Sequence, residues 1–240
     1  MNMMRKKMHR GGAAGPRQLI VAISPHATVS EQFRTIRTNI MYAGVDRPMR
    51  SVLFTSDIPG AGKSTIAANM AVAYGQAGKK TLLLDADLRR PTCHYTFEAM
   101  NQSGLSAAIV NDIPIEDFVK KTEFDDLDLI TSGPIPPNPS ELLSSKKMAE
   151  LMGSLAAQYE MIIMDSPPIL SVTDAQLLSK QADGVIIVTD VENNNRDRLM
   201  EAKDLLEKAD ANIIGVVLNN RKVNHRTSDK YYYYQASNDG

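Results

Sequence analysis

Six short apolar runs punctuate the middle of the chain: Ser51 to Thr55, Thr81 to Leu84, Leu127 to Ile130, Met161 to Met164, Gly184 to Val188 and Ile213 to Leu218. Several show no alternation of polar and apolar residues, and helical stretches separate them. A strand covered on both faces reads as a continuous apolar run. The pattern therefore predicts an α/β fold with a mostly parallel sheet and helices on both faces. In such sheets reacting groups gather at the carboxyl ends of the strands. Upstream, Phe33, Ile36 and Ile40 recur on one helical face. Thr28 and Glu31 have the spacing of a capping box, and Gly44 with Pro48 supplies a stop. The ends lack periodicity: residues 1–18 read as a flexible basic arm, 19–220 as the folded domain, and 221–240 as a mobile, tyrosine-rich tail.

At 240 residues, 43% hydrophobic and 23% charged, the chain has the material for one sizeable core. A net charge of −1 gives no global attraction to nucleic acid, so none is predicted as a partner. Contact with an anionic surface would fall to the local cluster Arg5, Lys6, Lys7 and Arg10. Cys93, the one cysteine, cannot form an intrachain disulfide, which fits a reducing cytoplasm, and reads as a small buried or half-buried residue. No apolar run reaches the roughly 20 residues that span a bilayer, so the chain is expected to be soluble.

Directly after the first run stands Asp57-Ile58-Pro59-Gly60-Ala61-Gly62-Lys63-Ser64-Thr65, followed by a helical stretch rich in Ala and Ile. Strand, glycine loop and helix in this order form a phosphate cradle. Gly60 and Gly62 let backbone N–H groups turn toward phosphate, Lys63 reaches its β and γ groups, and the Ser64 hydroxyl suits Mg²⁺. Asp57 stands where the general pattern has glycine. The second run ends at Asp85-Ala86-Asp87 and the fourth at Asp165. Carboxylates converging on a triphosphate raise the local negative charge unless a cation intervenes, so this placement argues for a magnesium ion.

Together, Pro-Gly-Ala-Gly-Lys-Ser-Thr, Leu-Leu-Leu-Asp-Ala-Asp-Leu-Arg-Arg-Pro, Ile-Ile-Met-Asp-Ser-Pro-Pro and the terminal tyrosines resemble the bacterial tyrosine kinases of capsule and exopolysaccharide synthesis. Two more segments match: Glu31 to Arg37, like that family's oligomerisation motif, and Ser132 to Leu142. The resemblance implies a P-loop NTPase-type kinase that uses ATP and Mg²⁺. Gly60, Ala61, Gly62, Lys63, Ser64 and Thr65 would bind nucleotide; Lys63, Asp85 and Asp87 would be catalytic; Ser64, Asp85 and Asp165 would hold metal. It makes Tyr231, Tyr232, Tyr233 and Tyr234 phosphoacceptors and Glu31, Arg34 and Arg37 oligomer contacts. It also implies a separate cytoplasmic chain recruited to the inner membrane face by a transmembrane activator. Other tyrosine-containing protein substrates, a cognate tyrosine phosphatase and a homo-oligomer complete the implied partners.

The residues themselves constrain the chemistry. A tyrosine hydroxyl ionises near pH 10 and an unperturbed aspartate near 4, so Asp85 is expected to orient the acceptor and take its proton late. Four consecutive tyrosines cannot all face one core, which favours substrate over scaffold. Glu31, Arg34 and Arg37 also fit a solvated ion-pair ladder. Pro136-Pro137-Asn138-Pro139 excludes a regular helix or inner strand and fits either a cleft wall or a surface loop. Asn219 fits an adenine contact or a turn asparagine. The rival function is an ATPase switch of the septum-positioning and partition class; its loop carries a second lysine where Ile58 stands here.

Overall fold

The computed structural model describes residues 18–45, 48–111, 113–193 and 195–221. The arm and the tail with Tyr231 to Tyr234 lie outside these, apart from the residues bordering the domain.

Among the described residues seven strands form one sheet: β1 Ser51–Ser56, β2 Thr81–Asp85, β3 Lys120–Lys121, β4 Leu127–Ile130, β5 Met161–Asp165, β6 Gly184–Asp190 and β7 Ile213–Asn219. Their order is β3-β4-β2-β5-β1-β6-β7, parallel except for β3. The helices are α1 Ile20–Ile23, α2 Thr28–Ala43, α3 Lys63–Gly75, α4 Cys93–Thr96, α5 Leu105–Val110, α6 Pro139–Leu143, α7 Lys146–Gln158, α8 Asp174–Ser179 and α9 Arg196–Lys208. All six predicted strands are present. β3 was not predicted, because two lysines carry no apolar signal.

Alternate side chains of each strand feed two cores. Leu53, Leu82, Leu84, Ile162 and Ile187 pack with α5, α7, α8 and α9. Val52, Phe54, Leu83, Ile163 and Val188 pack on the other face with α2 and α3. α3 is buried almost all round; its alanines allow the helix to lie close against the sheet. Each fully buried leucine or isoleucine contributes roughly 1.5–3 kcal/mol.

The start of α2 differs from expectation. Its N-cap is Ala27, with no side-chain bond, and Thr28 is already helical. Ser30 Oγ instead donates back to Ser24 O at 2.7 Å, tying the helix to the preceding turn. Pro139 also departs from expectation by opening α6, where its missing N–H costs nothing. Among the described residues no helix is long and apolar enough to cross a membrane.

Candidate active site

β2, β5 and β1 are neighbours, and their carboxyl ends build the site. Asp85 and Asp165, the last residues of β2 and β5, face each other in register, and Phe54 of β1 pairs with Asp165. The chain leaves β1 through the loop 57–62 into α3. Gly60 and Gly62 adopt φ of +82° and +93°. A Cβ on Gly62 would lie 2.1 Å from Nδ2 of Asn219, so both conformation and space demand glycine there. Asn219 ends β7 and donates through Nδ2 to Ala61 O at 2.9 Å. One N–H of its side-chain amide is thereby tied to the loop. The first-turn N–H groups of α3, including those of Lys63, Ser64 and Thr65, have no partner within the helix by geometry and present partial positive charge.

Lys63 is buried, and its Nζ donates to Ser64 Oγ at 3.0 Å, Asp87 Oδ2 at 3.1 Å and Asp165 Oδ1 at 3.3 Å. Burial works against its charge, but Asp165, Asp87 and Asp85 outweigh it and raise the ammonium above its usual value. Asp85 is wholly buried. Its Oδ2 accepts N–H groups from Thr92 at 3.1 Å and Cys93 at 3.0 Å, and its Oδ1 accepts from Asp87 N at 3.3 Å. Burial first, then the charge of Asp165, pushes Asp85 up to about 7. Asp87 Oδ1 accepts from the backbone of Arg89 and Arg90, fixing the turn after β2. Asp57, 1% exposed, has no hydrogen-bond partner for either carboxylate oxygen among the described residues.

These residues fit a hard divalent cation. Ser64, Asp85 and Asp165 offer oxygen donors, the set that suits Mg²⁺. The crowding that pushes Asp85 up is what such an ion would relieve. Thus Gly60 to Thr65, Asp85, Asp87 and Asp165, noted separately along the chain, meet at one end of the sheet.

Glu31, Arg34 and Arg37 do not join this cluster. Arg34 pairs with Glu31 and donates to Pro25 O at 2.7 Å, while Arg37 donates to Ala73 O near the end of α3 at 2.5 Å. Within one chain the stripe thus makes local contacts, and Glu31 remains 63% exposed.

A second polar constellation was missed. Arg89 grips Asp174 with Nε and Nη2 at 2.8 and 2.9 Å, and Nη2 also donates to Ser140 Oγ at 2.9 Å. Ser140 Oγ in turn donates to Asp174 Oδ1 at 2.8 Å. The fork clamps the turn after β2 to α6 and α8, while Pro137 and Asn138 just ahead of α6 are exposed. Arg89 stood in the aspartate motif, but Asp174 carried no local signal.

A family profile described as an AAA domain matches residues 49–213. The chain is 45% identical to the tyrosine-protein kinase YwqD of Bacillus subtilis (strain 168) over 92% of its own length and 93% of the relative's. It superposes on the crystal structure of the chimerical protein CapA2B2 with a TM-score of 0.83 and 48% identity, covering 87% of this chain and 93% of the other. The kinase domain of Escherichia coli tyrosine kinase ETK gives a TM-score of 0.81 at 27% identity, covering 92% and 88%.

Proposed function

The chain belongs to the bacterial tyrosine-protein kinases, and from that membership we propose that it moves the γ-phosphoryl group of ATP onto its own tyrosine cluster, Tyr231 to Tyr234. The observation that carries this reading is the convergence of Lys63, Asp85, Asp87 and Asp165 on the first turn of α3. Backbone N–H groups of residues 60–65 hold the phosphates, and the Lys63 ammonium follows the transferring group. Ser64, Asp85 and Asp165 would hold Mg²⁺, which supplies charge neutralisation on the phosphates when bound. Asp85, with Asp87 beside it, orients the tyrosine hydroxyl and takes its proton late. Most of the rate then comes from positioning and preorganised charge.

The ATPase-switch alternative is disfavoured by Ile58. Its side chain packs against the core on the α2 and α3 face and offers no ammonium to phosphate. We further propose the domain division 1–18, 19–220 and 221–240, and a role in capsular or exopolysaccharide synthesis. In that role a transmembrane activator recruits the chain to the inner membrane face, and a tyrosine phosphatase reverses the modification.

Transfer between protomers follows if Glu31, Arg34 and Arg37 join copies of the chain. The 13 residues from Leu218 to Tyr231 reach at most about 43–47 Å, which permits transfer within or between chains. Each phosphate adds about −1.5 to −2 charges, so a modified tail would be repelled from the aspartates and loosen the oligomer. The test is incubation with ATP and Mg²⁺, then mass mapping of Tyr231 to Tyr234. In a mixing arm, a Lys63→Met chain with its tail meets an active chain truncated after Asp229. Unmodified tyrosines in the wild-type chain overturn the kinase reading. Modification only of a chain's own tail overturns the transfer between protomers.

A further inference from the structure

Cys93 opens α4 directly behind Asp85 and Asp165. It is 1% exposed. Its Sγ lies 3.9 Å from Asp165 Oδ2, while Lys63 holds the other oxygen of that carboxylate. Its backbone N–H donates to Asp85, so one residue is tied to both strand-end aspartates. One ligand atom from each of Asp85, Cys93 and Asp165 lies within 4.8 Å of the other two. The donors come from three backbone segments, the ends of β2 and β5 and the start of α4, and the strand register fixes two of them.

The donor set is two carboxylates and one sulfur. Magnesium gains nothing from sulfur, whereas zinc and cobalt(II) bind thiolate well. With Zn–S of about 2.3 Å and Zn–O of about 2.0–2.2 Å, a tetrahedral ion separates sulfur from oxygen by about 3.6 Å. The 3.9 Å seen here needs little adjustment to meet that span.

We propose that Asp85, Cys93 and Asp165 form a site for a thiophilic divalent cation of the zinc type, which competes with magnesium and arrests phosphoryl transfer. The inference rests on the reading of Asp85 and Asp165 as the magnesium ligands. The thiol proton is released to solvent as the metal–sulfur bond forms. An ion seated against sulfur draws both aspartates away from Ser64 and the phosphates, so the kinase loses its productive cation.

The experiment uses the full chain, with Co²⁺ and Zn²⁺ as probes. Cobalt should give a near-ultraviolet thiolate-to-metal charge-transfer band in the wild type that zinc abolishes, and no such band in Cys93→Ser or Cys93→Ala. Zinc should inhibit magnesium-dependent tail phosphorylation. Losing a direct ligand should shift the inhibitory concentration by at least the about 10–100-fold that loss of an outer partner costs. Thermal melting checks each variant's fold, and the wild-type band decides the matter even if a variant fails to fold. Absence of that band, or equal zinc inhibition of Cys93→Ser, overturns the proposal. Asp165→Asn separates the two readings. If it loses magnesium-dependent binding of an ATP analogue while wild-type cobalt shows no sulfur band, the magnesium site stands and the zinc site falls. If magnesium-dependent binding is unchanged, both fall.

Discussion

The two ends of the sheet use carboxylates in opposite ways. Before β1 and β6, Asp183 Oδ2 accepts the N–H groups of Arg50 and Ser51 at 2.8 and 3.0 Å and the Ser51 hydroxyl at 3.0 Å. Before β2 and β5, Glu160 pairs with Lys79 at 2.8 Å, both side chains being 51% exposed, and takes the N–H of Lys80. These groups are satisfied close to home and shared with water. At the carboxyl ends Asp57, Asp85, Asp87 and Asp165 are 0–4% exposed. Neither carboxylate oxygen of Asp57 has a hydrogen-bond partner among the described residues, and the other three crowd around Lys63. Burying charge is unfavourable unless it is matched. Among the described residues, carboxylates that outnumber their cationic partner gather at the end where phosphate and a cation would complete the balance, while Asp183 and Glu160 at the opposite end are matched by their neighbours.

The largest expected effect is that of Lys63→Met. Removing the charge that follows the phosphoryl group should lower tail phosphorylation by about 10²–10³-fold or more. The change also uncovers Asp87 and Asp165, so the metal-free protein should lose about 3 kcal/mol in denaturant unfolding, as breaking a buried pair does. An active Lys63→Met chain with an unchanged midpoint would erase the contrast between the two ends.

Next come the two facing aspartates. Asp165→Asn should weaken magnesium-dependent nucleotide binding, measured by calorimetry, whereas Asp85→Asn should lower the rate of transfer far more than affinity. Equal, small effects would misplace the site. Asn219→Ala removes the bond to Ala61 O. A net loss of about 1 kcal/mol corresponds to roughly fivefold weaker nucleotide binding. No change in affinity would show that the loop holds its shape without β7.

The smallest effect belongs to the other end. Lys79→Ala should leave the unfolding midpoint and the kinase rate unmoved, as isolated exposed pairs usually do. The hydrogen bond from Lys79 first, then the N–H of Lys80, holds Glu160 below its ordinary value. Any stabilisation it gives is therefore complete above the unfolded carboxylate value and is lost as pH falls through the folded one. Urea midpoints of wild type and Lys79→Ala should therefore differ little at neutral pH and still less as pH falls through the acidic range; a large neutral-pH loss, or a difference that grows in acid, would contradict it.

Much of this contrast was legible in sequence. The six long strands follow from continuous apolar runs, and the loop and three aspartates follow from their place after those runs. Contacts between segments far apart were not. The Arg89, Ser140 and Asp174 clamp joins positions 51 and 85 residues from Arg89, and the bond from Asn219 to Ala61 spans 158. Thr28 misled because capping-box spacing is local, whereas Ser30 bonds back to Ser24 and Ile20. Cys93 read as a plain buried residue, since nothing in its neighbourhood along the chain reveals that α4 folds back under two strand ends.

The measurement closest to the central contrast is the unfolding midpoint of wild type and Asp85→Asn, in chelator and again with Mg²⁺ and nucleotide. Asp85 is raised to about 7. Its share of metal-free stability is therefore complete below the unfolded aspartate value and lost as pH rises through about 7. In chelator above that pH, Asp85→Asn should be the more stable of the two, because it removes a buried charge facing Asp165. With Mg²⁺ and nucleotide the variant's lead should narrow, the wild type gaining somewhat more because the cation binds its native state more tightly. A variant less stable than wild type in chelator, yet equally stabilised by Mg²⁺ and nucleotide, would contradict the view that these carboxylates are held for a cation and a phosphate.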